Sequence, residues 1–154
     1  AEDLSLEGVM KVLNNKSGVY GLSNYLSADI RDLTKAYYNG NNDAIRALKT
    51  YAYSIIKYIG SYVTVLGGAD AISFTAGVGE NSALVRKLVC ERLTYLGVEL
   101  DEEANEKASG KALISTENSR IKVFVVPTDE EMSIAKQTAE LLEKRFAQIE
   151  QEDE

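Results

Sequence analysis

The sequence predicts an α/β fold, rich in helix and carrying a few parallel strands. Two strand-then-helix units follow one another, one from residues 71–75 into a helix beyond Asn81, the other from residues 121–126 into a helix opened by Thr128. Successive units of this kind lay their strands parallel, with helices as the crossovers. A long amphipathic helix precedes both. Two strands are too few for a self-sufficient sheet, so the helices read as the cover of a sheet whose other strands are not visible in this chain.

From the N-terminus, Leu6, Val9, Met10 and Leu13 recur at helical spacing, with Ser5 as N-cap and the Asn14, Asn15, Ser17, Gly18 cluster as stop and turn. Ser27 is placed to cap a second helix carrying Ile30, Leu33, Ala36 and Tyr37, which closes at Asn39-Gly40, where glycine suits a left-handed cap. Over residues 42–66, Ile45, Leu48, Ala52, Ile55, Ile56, Ile59, Val63 and Leu66 form one stripe, the strongest helix signal of the chain. Tyr51, Tyr58 and Tyr62 lie along its edge, either as the flank of a core or as amphipathic aromatics at a subunit interface.

Gly67-Gly68 ends that helix, residues 71–75 form a short buried strand, and residues 76–81 form a loop. The next helix carries Leu84, Val85, Leu88, Val89, Arg92 and Leu96 on one side, with Cys90 pointing away from that stripe and given no role. Residues 98–108 read as a turn and a short acidic helix. Ile121, Val123, Val125 and Val126 mark the second strand, which Pro127 ends. The final helix carries Ile134, Thr138, Leu141, Leu142, Arg145 and Ile149 along one face, and residues 150–154 form a frayed tail after a single domain spanning residues 1–149.

Composition narrows the function classes. A chain of 154 residues with 45% hydrophobic and 27% charged residues is that of an ordinary soluble domain. The net charge of −7, with no Lys/Arg stripe to interrupt it, repels a phosphate backbone, so nucleic acid is not an expected partner. The most apolar stretch, residues 51–69, is interrupted by Lys57 and polar residues, and no signal peptide opens the chain, so no membrane association and a cytoplasmic location are expected. Cys90 is the single cysteine and there is no histidine. Any metal is therefore held by oxygen, which favours magnesium or calcium.

Three segments can carry chemistry. Phe74-Thr75-Ala76-Gly77-Val78-Gly79-Glu80-Asn81 puts small residues at the C-terminal edge of a parallel strand, where nucleotides bind in open α/β sheets, although a tight turn needs glycine for steric reasons alone. Thr128-Asp129-Glu130-Glu131 has the spacing of a capping box between Thr128 and Glu131, which leaves Glu130 as the carboxylate free to reach a hydrated magnesium ion. Ser27-Ala28-Asp29-Ile30-Arg31-Asp32 is a helix start with an acidic first turn. Its carboxylate could accept from a ribose, and its guanidinium face could lie against a purine.

Taken in order, these segments resemble acetate kinase, together with Lys16-Ser17-Gly18, Gly21-Leu22-Ser23, Leu96-Gly97-Val98-Glu99-Leu100-Asp101 and Val126-Pro127. The resemblance covers nearly the whole chain, and the Phe-Thr-Ala-Gly-Val-Gly-Glu-Asn stretch is its most specific part. It implies part of an actin-like, ribonuclease-H-like domain and reversible transfer of the ATP γ-phosphoryl group to acetate, with ATP or ADP and Mg2+ as cofactors. It implies that Asp29, Ile30 and Arg31 hold the adenosine, that Gly77, Val78, Gly79, Glu80 and Asn81 line the nucleotide site, and that Glu130 helps place magnesium. It also implies a homodimer and a missing N-terminal half that holds the catalytic residues, so that this chain alone is expected to be inactive. Asp129 and Ala28 depart from the asparagine and serine common in that family. Two other readings stand beside it: a portion of a propionate or butyrate kinase, and a non-catalytic module for nucleotide binding or dimerisation.

Overall fold

In a computed structural model, which describes residues 5–152, capping side chains set most of the helix boundaries. Helix α1, Leu6–Asn15, begins where the Ser5 hydroxyl accepts from the Gly8 amide. The expected turn after it contains a short helix, α2, Gly18–Leu22. Helix α3, Ile30–Tyr38, is capped by Asp29 and not by Ser27. Two candidate caps compete here, and the charged acceptor adjoining the apolar stripe prevails. The Ser27 hydroxyl instead accepts from the Asp29 amide at 3.0 Å, bracing the turn that presents the cap.

Helix α4, Asn42–Leu66, has the predicted bounds: Asn41 Oδ1 accepts from the amides of Asp43 and Ala44, and Gly67 ends it at φ +71° in the left-handed region. Strand β1, Ala71–Phe74, leads into α5, Ala76–Asn81, so the expected loop is a turn and a half of helix. Helix α6, Ala83–Cys90, is capped by Ser82. It stops short of Arg92 and Leu96, and Leu96 lies in a separate 3-10 turn, Thr94–Leu96. Helix α7, Glu102–Lys107, follows its Asp101 cap. Strands β2, Ala112–Leu113, and β3, Lys122–Val125, precede α8, Glu130–Glu152.

The sheet has the order β1-β3-β2. The two predicted strands are parallel, with Ala71 opposite Lys122 and Phe74 opposite Val125. The third strand corrects the expectation of parallel strands alone: β2 runs antiparallel to β3, with Ala112 opposite Val125 and Leu113 opposite Phe124. Two residues are too few to show a period in sequence. Strand β1 is not buried as a whole either. Phe74 is buried, but Ala71 and Ser73 are exposed.

The core lies where α3, α4 and α6 meet the sheet. Ala44, Ala47 and Ala52 of α4 are at most 2% exposed and, with Leu48, let neighbouring helices approach closely. Leu33 packs there from α3, Leu84, Val85, Leu88 and Val89 from α6, and Val123 and Val125 from β3. Cys90 joins them at 1% exposed, which overturns its expected outward orientation. Helix α6 is packed by α4, α5 and α7, so its buried arc is wider than one stripe and takes in Cys90 and Arg86 as well.

Other predicted faces are left uncovered. Leu6, Leu13, Leu66, Ile134 and Leu141 are exposed, although each belongs to an apolar stripe. Ile149, from the same face of α8, lies outside the described side chains. No helix among the described residues is long and apolar enough to cross a membrane.

Candidate functional site

The start of α3 and the helix α5 face each other across an open cleft of about 1160 Å³. Asp29, Ile30 and Arg31 line one side and Gly77, Val78 and Asn81 the other. Segments more than forty residues apart in sequence thus share one concavity. Ile30 and Val78 pack against the core and give the cleft an apolar floor. Asp29 and Arg31 place charge at its α3 side.

Asp29 Oδ1 accepts from the Arg31 amide at 2.8 Å, and its carboxylate also accepts from Arg31 Nε at 3.1 Å and from Nη2 at 2.6 Å. The Arg31 guanidinium, then the Arg31 amide, hold the Asp29 carboxyl down at about 2. The same bond raises the pKa of Arg31. Arg31 is 84% exposed even while paired, so a face of its guanidinium is open to a flat ligand.

The other two predicted residues of α5 point elsewhere. A Cβ added to Gly79 would meet the Phe74 carbonyl carbon at 3.2 Å, so glycine there lets α5 lie against β1. Glu80 Oε1 accepts from the Thr128 amide at 3.0 Å and from the Thr128 hydroxyl at 3.1 Å. Gly77 is different, because a Cβ there would meet nothing within 4 Å.

Around Glu130 the predicted capping box is absent. Asp129 Oδ1 accepts from the Met132 amide at 2.9 Å and caps α8, while Thr128 is held by Glu80. Asp129 stands next to the helix and is the stronger acceptor, so it displaces Thr128 as cap. The reason for preferring Glu130 over Glu131 therefore falls. Both line a second concavity of about 450 Å³, with Gly77 at its edge. Among the described residues no three Asp, Glu, His or Cys side chains gather to hold a metal alone. An oxygen-only set of one or two carboxylates fits magnesium that brings its own water and phosphate ligands.

Thr34, Lys35 and Tyr38 extend the first cleft along α3, and Glu106 closes it from α7. Arg31, Lys35 and Tyr38 fall at i, i+4 and i+7, a spacing from which one helix face could have been read. Glu106 carries no such signal, because it arrives through tertiary packing.

Comparison with known proteins places the chain in a family. Residues 1–136 match the acetokinase family. The chain is 49% identical over 142 residues to the acetate kinase of Agathobacter rectalis, covering 92% of this chain and 36% of that protein. It is 46% identical over 150 residues to that of Fervidobacterium nodosum, covering 97% of this chain and 37% of that protein. The acetate kinase crystal structure from Porphyromonas gingivalis superposes with a TM-score of 0.82 at 42% identity, over 92% of this chain and 35% of that one. A propionate kinase from Francisella tularensis gives 0.77 at 30% identity, over 85% and 33%. The chain spans about a third of the length of the curated relatives it matches. Its helix-rich architecture with a small mixed sheet is part of the actin-like fold of acetate and propionate kinases, and the chain belongs to the acetokinase family.

Proposed function

We propose that this chain forms the adenosine side of the ATP/ADP site of an acetate kinase, an enzyme that reversibly phosphorylates acetate. The observation that carries the reading is the cleft in which Asp29, Ile30 and Arg31 face Gly77, Val78 and Asn81. Ile30 and Val78 offer apolar contact to a purine, and the open guanidinium of Arg31 can stack on it. Gly77 leaves room for phosphate close to the backbone. Glu130, with Glu131 beside it, is the carboxylate that would hold hydrated magnesium, which when bound neutralises phosphate charge. Glu80 and Gly79 act behind the site, the first on Thr128 and the second on Phe74.

Transfer itself needs groups on the acyl side, supplied by an N-terminal portion such as the matched relatives carry beyond the shared third. A homodimer in the cytoplasm completes the reading, supported by Tyr58 and Tyr62 standing exposed on α4 beside Val65 and Leu66. The likeness to a propionate kinase keeps propionate as a second acceptor.

Calorimetric titration of the chain with Mg–ATP tests the proposal. Binding is expected, weakened roughly tenfold by Arg31→Ala or Asn81→Ala, as the loss of one charged or polar contact implies. Absence of binding by the unaltered chain sinks it. Acetate-dependent ADP release by the chain alone is expected to be nil.

A further inference from the structure

Arg86 is 2% exposed, and among the described residues it is the largest side chain buried to that degree and no carboxylate bonds it. Its Nη1 donates to the carbonyls of Gly79 at 2.9 Å and Glu80 at 2.8 Å. Its Nε donates to Asn105 Oδ1 and its Nη2 to the Asn105 carbonyl, both at 2.7 Å. Asn105, itself fully buried, donates through Nδ2 to the Ala83 carbonyl at 3.0 Å. The burial lowers the pKa of Arg86. Glu106 acts on the guanidinium only at longer range, without bonding it, and a buried guanidinium held by carbonyls alone is expensive, so an apolar side chain would fill the same space more cheaply.

What the guanidinium holds is specific. Helix α5 is six residues long, and its last carbonyls have few helical partners. The Ser82 amide donates to the Val78 carbonyl and Asn81 Nδ2 to the Gly77 carbonyl. Arg86 takes the next two, those of Gly79 and Glu80, and its charge complements the C-terminal end of the α5 dipole. The other side of this helix presents Gly77, Val78 and Asn81 to the cleft.

We infer that Arg86, braced by Asn105, is a positioning residue that fixes α5 against α6 and α7 and so sets the glycine wall of the cleft. The inference rests on the nucleotide reading above only for what the cleft binds. A lysine at this position keeps the charge but has one nitrogen where Arg86 uses three, so it cannot reach all four acceptors.

Amide hydrogen exchange and Mg–ATP titration on the 154-residue chain test this with Arg86→Lys, and with Leu48→Ala as a control that loosens the core elsewhere. Exchange at residues 79–82 is expected to rise at least roughly tenfold in Arg86→Lys while β3 amides stay near their original rates, and affinity to fall in step. Leu48→Ala should raise exchange throughout. If Arg86→Lys leaves residues 79–82 protected, or loosens them no more than β3, the positioning role is wrong. If exchange rises locally but the unaltered chain binds no nucleotide, the positioning of α5 stands and the nucleotide reading falls.

Discussion

Glu80 and Thr128, 48 positions apart, are joined by one carboxylate oxygen that accepts from both the amide and the hydroxyl of Thr128. This pair connects α5 to the entry of α8, and Gly77, Thr128 and Glu130 line the concavity next to it. Glu80→Ala should therefore act locally. Exchange of the Thr128 to Met132 amides should rise, while global stability falls by less than about 1 kcal/mol, the range for one partly exposed hydrogen-bonded group. A collapse of the whole fold in a urea titration would contradict this.

Asp29 gives a pH prediction. Its carboxyl is lowered from the ordinary 3.8 to about 2, first by the Arg31 side chain and then by the Arg31 amide. A depressed folded pKa means that its stabilisation is present above the unfolded value and is lost as pH falls through the folded one. The start of α3 should thus loosen between about pH 4 and pH 2, and carboxyl-carbon NMR should place the Asp29 midpoint near the lower end. Arg31→Ala should move that midpoint up. A midpoint at the ordinary value in the unaltered chain would show that the pair does not persist in solution.

Cys90 should be inert while the chain is folded. It is 1% exposed, and burial pushes its thiol up to about 12, so thiolate is scarce at neutral pH. Reaction with a thiol reagent at pH 8 should follow the urea unfolding curve. Rapid stoichiometric labelling without denaturant would mean that α6 opens far more readily than its packing suggests.

These residues also show where sequence patterns inform and where they stop. Asn41 and Gly67 frame α4 through local chemistry, a side-chain cap and a left-handed terminus, so its bounds are legible. Six of the cleft residues, Asp29, Ile30, Arg31, Gly77, Val78 and Asn81, lie in sequence motifs, and two of them, Asp29 and Arg31, are further tied by local bonds. Arg86 and Asn105 lie 19 positions apart and mean nothing until α6 and α7 pack, so no local signal announces them. Cys90 is buried off the apolar stripe because a stripe predicts one buried direction, and α6 is enclosed from several. The exposed stripes on α1 and α8 show the converse, since periodicity reports that a face is apolar and not what covers it.

The two glycines of α5 allow steric and ligand requirements to be separated. At Gly79 a Cβ would stand 3.2 Å from the Phe74 carbonyl carbon and 3.5 Å from its Cα, and backbone cannot swing aside as a side-chain tip can. Gly79→Ala should force α5 away from β1 and lower stability by about 1–3 kcal/mol, the range for overpacking. At Gly77 a Cβ would meet nothing within 4 Å, so Gly77→Ala should leave stability unchanged or raise it by up to about 1 kcal/mol through the unfolded chain. Yet Gly77 borders both concavities, where a methyl group would occupy the space proposed for phosphate. Mg–ATP affinity should therefore fall roughly tenfold, about 1.4 kcal/mol, in Gly77→Ala with no loss of thermal stability. Equal affinity in Gly77→Ala and the unaltered chain would place the phosphates elsewhere and leave Gly77 without a ligand role.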